Sequence, residues 1–205
     1  MVLHRNPAVP DRANPVVSLA MALTATVYHL PVQLSDVDRG VYESLDLRLA
    51  RHPSETMRYL LTRLLAYCLC YEDGIAFSKG GLSSTDEPPL SIRDATGLLI
   101  AWIDIGFPSA ERLHKASKAA RRVVLYTHLD EGLLQREARE RVIHKVEQIE
   151  VWRIPPSFLD AVEAQVSRNT KLELLHSDGM LYVTAGGHTF ETALSRCSLV
   201  TPIQS

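Results

Sequence analysis

Residues 90–127 restrict this chain's architecture more than any other stretch. Leu90 and Ile92 alternate with polar neighbours, Asp94-Ala95-Thr96-Gly97 supplies turn chemistry, and residues 98–106 resume as a second apolar strand. Pro108 then opens a helix to about Arg121. The run at 123–127 is β-branched and apolar, the composition of strands buried in parallel sheets. A hairpin followed by a helix and a buried strand requires a mixed sheet with that helix across one face.

The flanking segments extend this sheet and add another. Met57, Leu60, Leu61, Leu64, Leu65, Cys68 and Leu69 form one helical stripe, predicting a helix from near Ser54 that Gly74 stops. Residues 75–78 predict a short strand and 80–84 a loop. Further on, the pattern predicts a helix over 131–146, a strand over 149–154 and a helix from Pro155 to about Ser167. Residues 27–34 and 42–49 read as an antiparallel pair around Ser35, Asp36, Asp38 and Gly40. Residues 171–176, 180–184 and 188–194 read as hairpins turning at Asp178-Gly179 and Gly186-Gly187.

The expected class is therefore α/β. A mixed central sheet flanked by helices spans 51–169, and a smaller antiparallel β-sheet is built from the N- and C-terminal strands, 22–50 and 170–195. Residues 1–20 hold Pro7, Pro10 and Pro15 without periodicity and are expected to be a disordered extension. Arg5 and Arg12 before an apolar run imitate a signal peptide only faintly, and Met21 can serve as initiator.

A net charge of −2 gives no global attraction to nucleic acid, so any such binding needs a local basic face. Cys68, Cys70 and Cys197 form no CxxC pair, which argues against a disulfide framework and a zinc site and for a cytoplasmic location. No apolar run approaches the ~20 residues that span a bilayer. A P-loop, a GxGxxG element and a nucleophile motif are absent from the sequence.

The chemical anomaly is Asp104, which shares a strand face with Leu98, Ile100 and Trp102. A carboxylate there needs a partner or a metal, unless it sits at the strand's exposed end and helps cap the next helix. Asp94 is a poor co-ligand, lying roughly 20 Å away at ~3.4 Å per residue, and is better explained as an Asx residue that starts the turn. The same arithmetic brings the acidic pair Asp86 and Glu87 opposite Asp104. Pairing Leu90 with Trp102 puts Asp86 on the Asp104 face, whereas a one-residue slip puts Glu87 there. Two converging carboxylates suit Mg²⁺ with waters and substrate phosphate, and solvated loop acids are the alternative. The helix after Pro108 offers His114, Lys115, Lys118, Arg121 and Arg122 to phosphates.

The stretches Leu49-Ala50-Arg51-His52-Pro53-Ser54-Glu55-Thr56, Asp86-Glu87-Pro88, Asp94-Ala95-Thr96-Gly97, Trp102-Ile103-Asp104-Ile105-Gly106 and Lys115-Ala116 together resemble the YaeQ family. The resemblance runs from about Ala22 to the C-terminus. That family's fold is similar to the PD-(D/E)XK nuclease superfamily, with a restriction-endonuclease-like core ordered helix, three strands, helix, strand. The resemblance implies a Mg²⁺-dependent phosphodiesterase acting on DNA or RNA, with Asp104 and either Asp86 or Glu87 holding the metal and Glu55 as the helix-borne acid. The superfamily's lysine, two residues after the third-strand acid, is replaced here by Gly106, and Lys115 is the residue best placed to substitute. That departure implies a second expectation: a catalytically inactive nuclease-fold protein that binds nucleic acid or a protein partner, for example in transcription or repair.

Overall fold

The computed structural model describes residues 25–78 and 87–200. The N-terminal hairpin pairs β1 (Thr26–Asp36) with β2 (Val41–Arg51) in continuous antiparallel register. Leu30, Val32 and Leu34 on β1 and Leu45, Leu47 and Leu49 on β2 are buried on one face, so alternation alone dictates which side meets the core. Next comes α1 (Met57–Leu69), whose N-cap Thr56 accepts a hydrogen bond from the Tyr59 amide at 3.1 Å. Its apolar stripe is buried as its spacing requires, with Leu60, Leu61, Leu64, Leu65 and Cys68 all at most 2% exposed.

After α1 run β3 (Ile75–Phe77), β4 (Leu90–Arg93), β5 (Leu99–Ile105), α2 (Ala110–Ala119), β6 (Arg122–Thr127), α3 (Glu131–Arg139), β7 (Glu150–Arg153) and α4 (Pro156–Glu163). The chain closes with β8 (Leu172–Ser177), β9 (Met180–Ala185), β10 (His188–Ala193) and β11 (Ser195–Cys197). One sheet has the order β10-β9-β8-β1-β2 and the other β11-β7-β6-β5-β4-β3, with β5, β6 and β7 mutually parallel. Helices α1 and α4 fill the space between the sheets, against the inner faces of both. Helices α2 and α3 cover the outer face of the six-stranded sheet, where Trp102, Leu125 and Val151 pack with Leu113, Ala116 and Leu134. Immediately before β3 and against the end of β4, Gly74 is required: a Cβ there would lie 1.9 Å from the Arg93 carbonyl oxygen.

Several particulars differ from expectation. The sheet of terminal strands is mixed rather than antiparallel, because β1 pairs with β8 in parallel. The whole central sheet intervenes between those strands, and a long crossover of that kind admits parallel pairing where a tight turn cannot. β11 was not expected and extends the six-stranded sheet beyond β7. The helix expected to reach Val146 ends at Arg139. Leu134, Ala138 and Val142 imitate a continued stripe, but Val142 is 86% exposed and Ile143 is the residue buried. Residues 1–20 and the loop at 80–84 lie outside the described residues. No helix among the described residues is long and apolar enough to cross a membrane.

Candidate functional site

Asp104 lies near the C-terminal end of β5 with its side chain on the outer face, beneath α2. The hairpin that precedes it turns as the Asx reading requires: Asp94 Oδ1 accepts from the Thr96 amide, the Thr96 hydroxyl and the Leu98 amide at 2.9, 2.6 and 3.0 Å. These bonds, led by the Thr96 hydroxyl, hold the Asp94 carboxyl below its usual range. The register differs from the pairing of Leu90 with Trp102. Leu90 opposes Ile103, because a β-bulge between Ile92 and Arg93 takes up the extra residue Ile100. This is the one-residue slip, which by alternation would favour Glu87 over Asp86, but the paired strand begins at Leu90 and Glu87 lies in a bend before it. Asp86 lies outside the described residues.

Asp104 is 2% exposed and both of its oxygens are engaged. Arg112 Nε donates to Oδ1 at 2.8 Å, and the Trp102 indole donates to Oδ2 at 2.8 Å. The Arg112 guanidinium stands 5.4 Å from the centre of the Trp102 ring and donates through Nη2 to the Glu87 carbonyl oxygen at 2.9 Å. Arg112 therefore ties α2 to β5 and to the segment entering β4. Its position is set by the N-cap of α2, where Ser109 accepts from the Arg112 amide at 3.2 Å. Burial pushes the Asp104 carboxyl above its usual value, opposed by the adjacent Arg112 charge and by both hydrogen bonds.

Among the described residues, the others singled out in the sequence do not complete a metal site with this pair. The exposed Glu87 turns its carboxylate to Ser78, accepting from that hydroxyl at 3.2 Å. Glu55 precedes the N-cap of α1 rather than standing in its first turn, and folds back to accept from the His52 amide at 2.8 Å. It is 5% exposed and faces Arg63 at 3.4 Å, leaving Oε1 without a hydrogen bond. Arg63 also donates to the Ala50 carbonyl at 2.7 Å, so this pair fastens α1 to β2. Lys115 lies on α2 with an exposed side chain. Arg122, read as part of the basic helix, instead begins β6 and turns inward to Glu150.

Gly106 adopts φ +83°, a conformation that side chains disfavour. A Cβ there would meet Tyr59 Cδ2 at 3.5 Å, an ordinary contact, so the backbone rather than space opposes a lysine. Burial raises the Tyr59 phenol to about 12, and the charges of Arg63, Glu55, Asp104 and Arg112 all reach it.

The donors among the described residues do not fit a hard cation. The Asp104 carboxylate is already charge-matched by a guanidinium in direct contact, and a divalent ion would meet that positive charge. The Glu87 carboxylate points to Ser78, and no three His, Cys, Asp or Glu side chains converge among the described residues. Sequence reasoning missed Arg112, Arg63 and Tyr59. Trp102 was visible two residues from Asp104 on its strand face, but nothing in the spacing distinguished Arg112 from the other cations of its helix.

The fold and this strand end define a class: two mixed sheets around paired helices, with a buried aspartate clamped by arginine and indole where the central parallel strands begin to end. The chain belongs to the YaeQ family, described as YaeQ protein, which matches residues 21–194. It is 30% identical over 176 residues to the protein described as uncharacterized protein YaeQ of Escherichia coli strain K12, an alignment covering 85% of this chain and 97% of the relative. The crystal structure of YaeQ protein from Xanthomonas axonopodis pv. citri is similar at a TM-score of 0.76 and 32% identity, covering 84% of this chain and 98% of that one. That of YaeQ protein from Pseudomonas syringae is similar at 0.76 and 30% identity, with 84% and 95% covered.

Proposed function

We propose that this member of the YaeQ family is a nuclease-like fold that works by binding rather than by hydrolysis, and that its partner is nucleic acid. The order α1-β3-β4-β5-α2-β6 supports a restriction-endonuclease-like core, since it is the order of the PD-(D/E)XK superfamily. The observation that carries the non-catalytic reading is Arg112 on Asp104: a cation of the protein occupies the contact that a metal would need. Gly106 in place of lysine, at a positive φ, agrees with it. Lys115, Lys118 and Arg121, all exposed along α2 and its C-terminal exit, are the groups that would meet phosphates.

Titrating purified protein against single- and double-stranded DNA and RNA at several salt concentrations, with Mg²⁺ or Mn²⁺ present, tests this. The expected result is salt-sensitive binding without cleavage. Metal-dependent cleavage that disappears in Asp104→Asn would overturn it, and absence of binding to every nucleic acid would make the partner a protein.

A second reading, a Mg²⁺-dependent phosphodiesterase, is favoured by one observation: the buried Glu55 has an oxygen without a hydrogen bond. It would hold Mg²⁺ through Asp104 with Glu87 or Asp86, use Lys115 for the missing lysine, and require Arg112 to leave Asp104.

A further inference from the structure

A cavity of about 250 Å³ opens between the two sheets, bordered by the C-terminal end of α1 and the first residues of β6 and β7. Its walls combine apolar surface from Leu69, Leu194 and Trp152 with the Tyr126 ring, and its rim carries charges from both sheets. The charges contributed by the five-stranded sheet and its turns are committed internally. Asp36, fully buried, accepts from Arg39 Nε at 2.7 Å and stands 3.0 Å from His176 Nδ1. Arg39 spends its remaining nitrogens on the carbonyls of Tyr71 and Cys68, at 3.3 and 3.4 Å. Asp38 accepts from the Asp178 and Gly179 amides at 2.8 and 3.1 Å and lies 3.6 Å from His176 Nε2.

The six-stranded sheet is less completely matched. Glu150 takes two parallel hydrogen bonds from Arg122, through Nε at 2.8 Å and Nη2 at 2.9 Å. Arg122 Nη1 has no acceptor among the described residues. The Tyr126 hydroxyl receives the Cys70 thiol at 3.7 Å, and its own proton likewise has no acceptor there. The acids around the cavity are thus all supplied with donors, while two donors four residues apart on β6 are left over. A carboxylate accepts from donors of this kind, and an apolar body would complete the walls.

We propose that this cavity binds a small organic carboxylate with an aromatic or branched apolar body, its carboxylate on Arg122 and Tyr126 and its body against Trp152, Leu69 and Leu194. The volume equals about eight waters at ~30 Å³ each, room for a molecule of roughly ten non-hydrogen atoms. The site lies between the sheets, whereas Asp104 faces outward beneath α2, so the proposal stands or falls independently of the nucleic-acid reading.

The probe is phenylacetate, with phenylacetamide as its neutral counterpart and inorganic phosphate as an anion without a body. The chain has two tryptophans, and of these Trp152 lines the cavity while Trp102 is buried under α2, so their indole N–H signals in a ¹H–¹⁵N spectrum separate the site from the rest. Saturable shifts of the Trp152 signal by phenylacetate are expected, with Trp102 unmoved. Phenylacetamide and phosphate should each bind about tenfold more weakly, the loss of one charge-assisted contact or of the apolar contact. Tyr126→Phe, which keeps the ring, should weaken phenylacetate several-fold, and the same spectrum reports that the variant is folded. No saturable shift, equal binding of the amide, equal binding of phosphate, or unchanged affinity in Tyr126→Phe would each overturn the proposal.

Discussion

Asp104 and Glu150 sit on opposite faces of one sheet, each paired with an arginine, and their acidities move in opposite directions. Burial dominates at Asp104 and raises its carboxyl despite Arg112 and Trp102. At Glu150, whose side chain is 27% exposed at the cavity mouth, the paired hydrogen bonds from Arg122 dominate and hold the carboxyl below its usual range. The same kind of partner therefore produces different electrostatics, and access to water decides which. The Asp104 assembly is a buried brace that fixes α2 to β5. The Glu150 assembly borders open space and keeps one guanidinium nitrogen to spare.

The sharpest way to break that contrast is to remove each arginine. Arg112→Met leaves a buried carboxylate without its counter-ion and should cost about 3–5 kcal/mol in urea unfolding. Arg122→Met, at a pair in contact with solvent, should cost about 1 kcal/mol. Equal losses would erase the distinction.

A smaller effect is expected at the strand end itself. Gly106→Lys restores the superfamily's residue type but forces a side chain onto a backbone at φ +83°, which should cost about 1–2 kcal/mol. Thermal unfolding measures the loss, and the variant should gain no metal-dependent cleavage.

The smallest effect is the pH dependence, where the two acids carry opposite signs. Glu150, depressed from 4.5, contributes stability that is complete above that value and is lost as pH falls through its native pKa. Asp104, raised from 3.8, does the reverse: its cost is absent at low pH and appears as pH climbs through its native pKa. Glu150→Gln should therefore cost about 1 kcal/mol or less near pH 7, and the difference from the parent should shrink toward pH 3. A difference that grows on acidification would mean that Glu150 is not held ionised by Arg122.

Much of the fold was readable because it rests on local pattern. The α1 stripe, the Asp94 turn and the apolar run of β6 each follow from periodicity or turn chemistry within a few residues. The parallel union of β1 with β8 and the addition of β11 rest on pairings between distant segments, which leave no local trace. The site divides in the same way. Asp104 was visible as a charge in an apolar strand, and its register with Glu87 was narrowed to two choices that differ by one residue. A bulge at Ile92–Arg93 sets the register of β4 against β5, and bulges have no strong composition here. The partner of Asp104 was not readable, because Arg112 reaches it across a strand-to-helix connection set by the Ser109 cap, and an exposed-looking cation in a polar helix carries no mark of being turned inward.

The central claim is that Asp104 is charge-matched by Arg112 rather than by a metal. Calorimetric titration of Mg²⁺ into the parent protein and into Asp104→Asn tests it most directly. The account predicts no saturable Mg²⁺ binding that depends on Asp104, so the two titrations should coincide. A saturable site in the parent that vanishes in Asp104→Asn would contradict it.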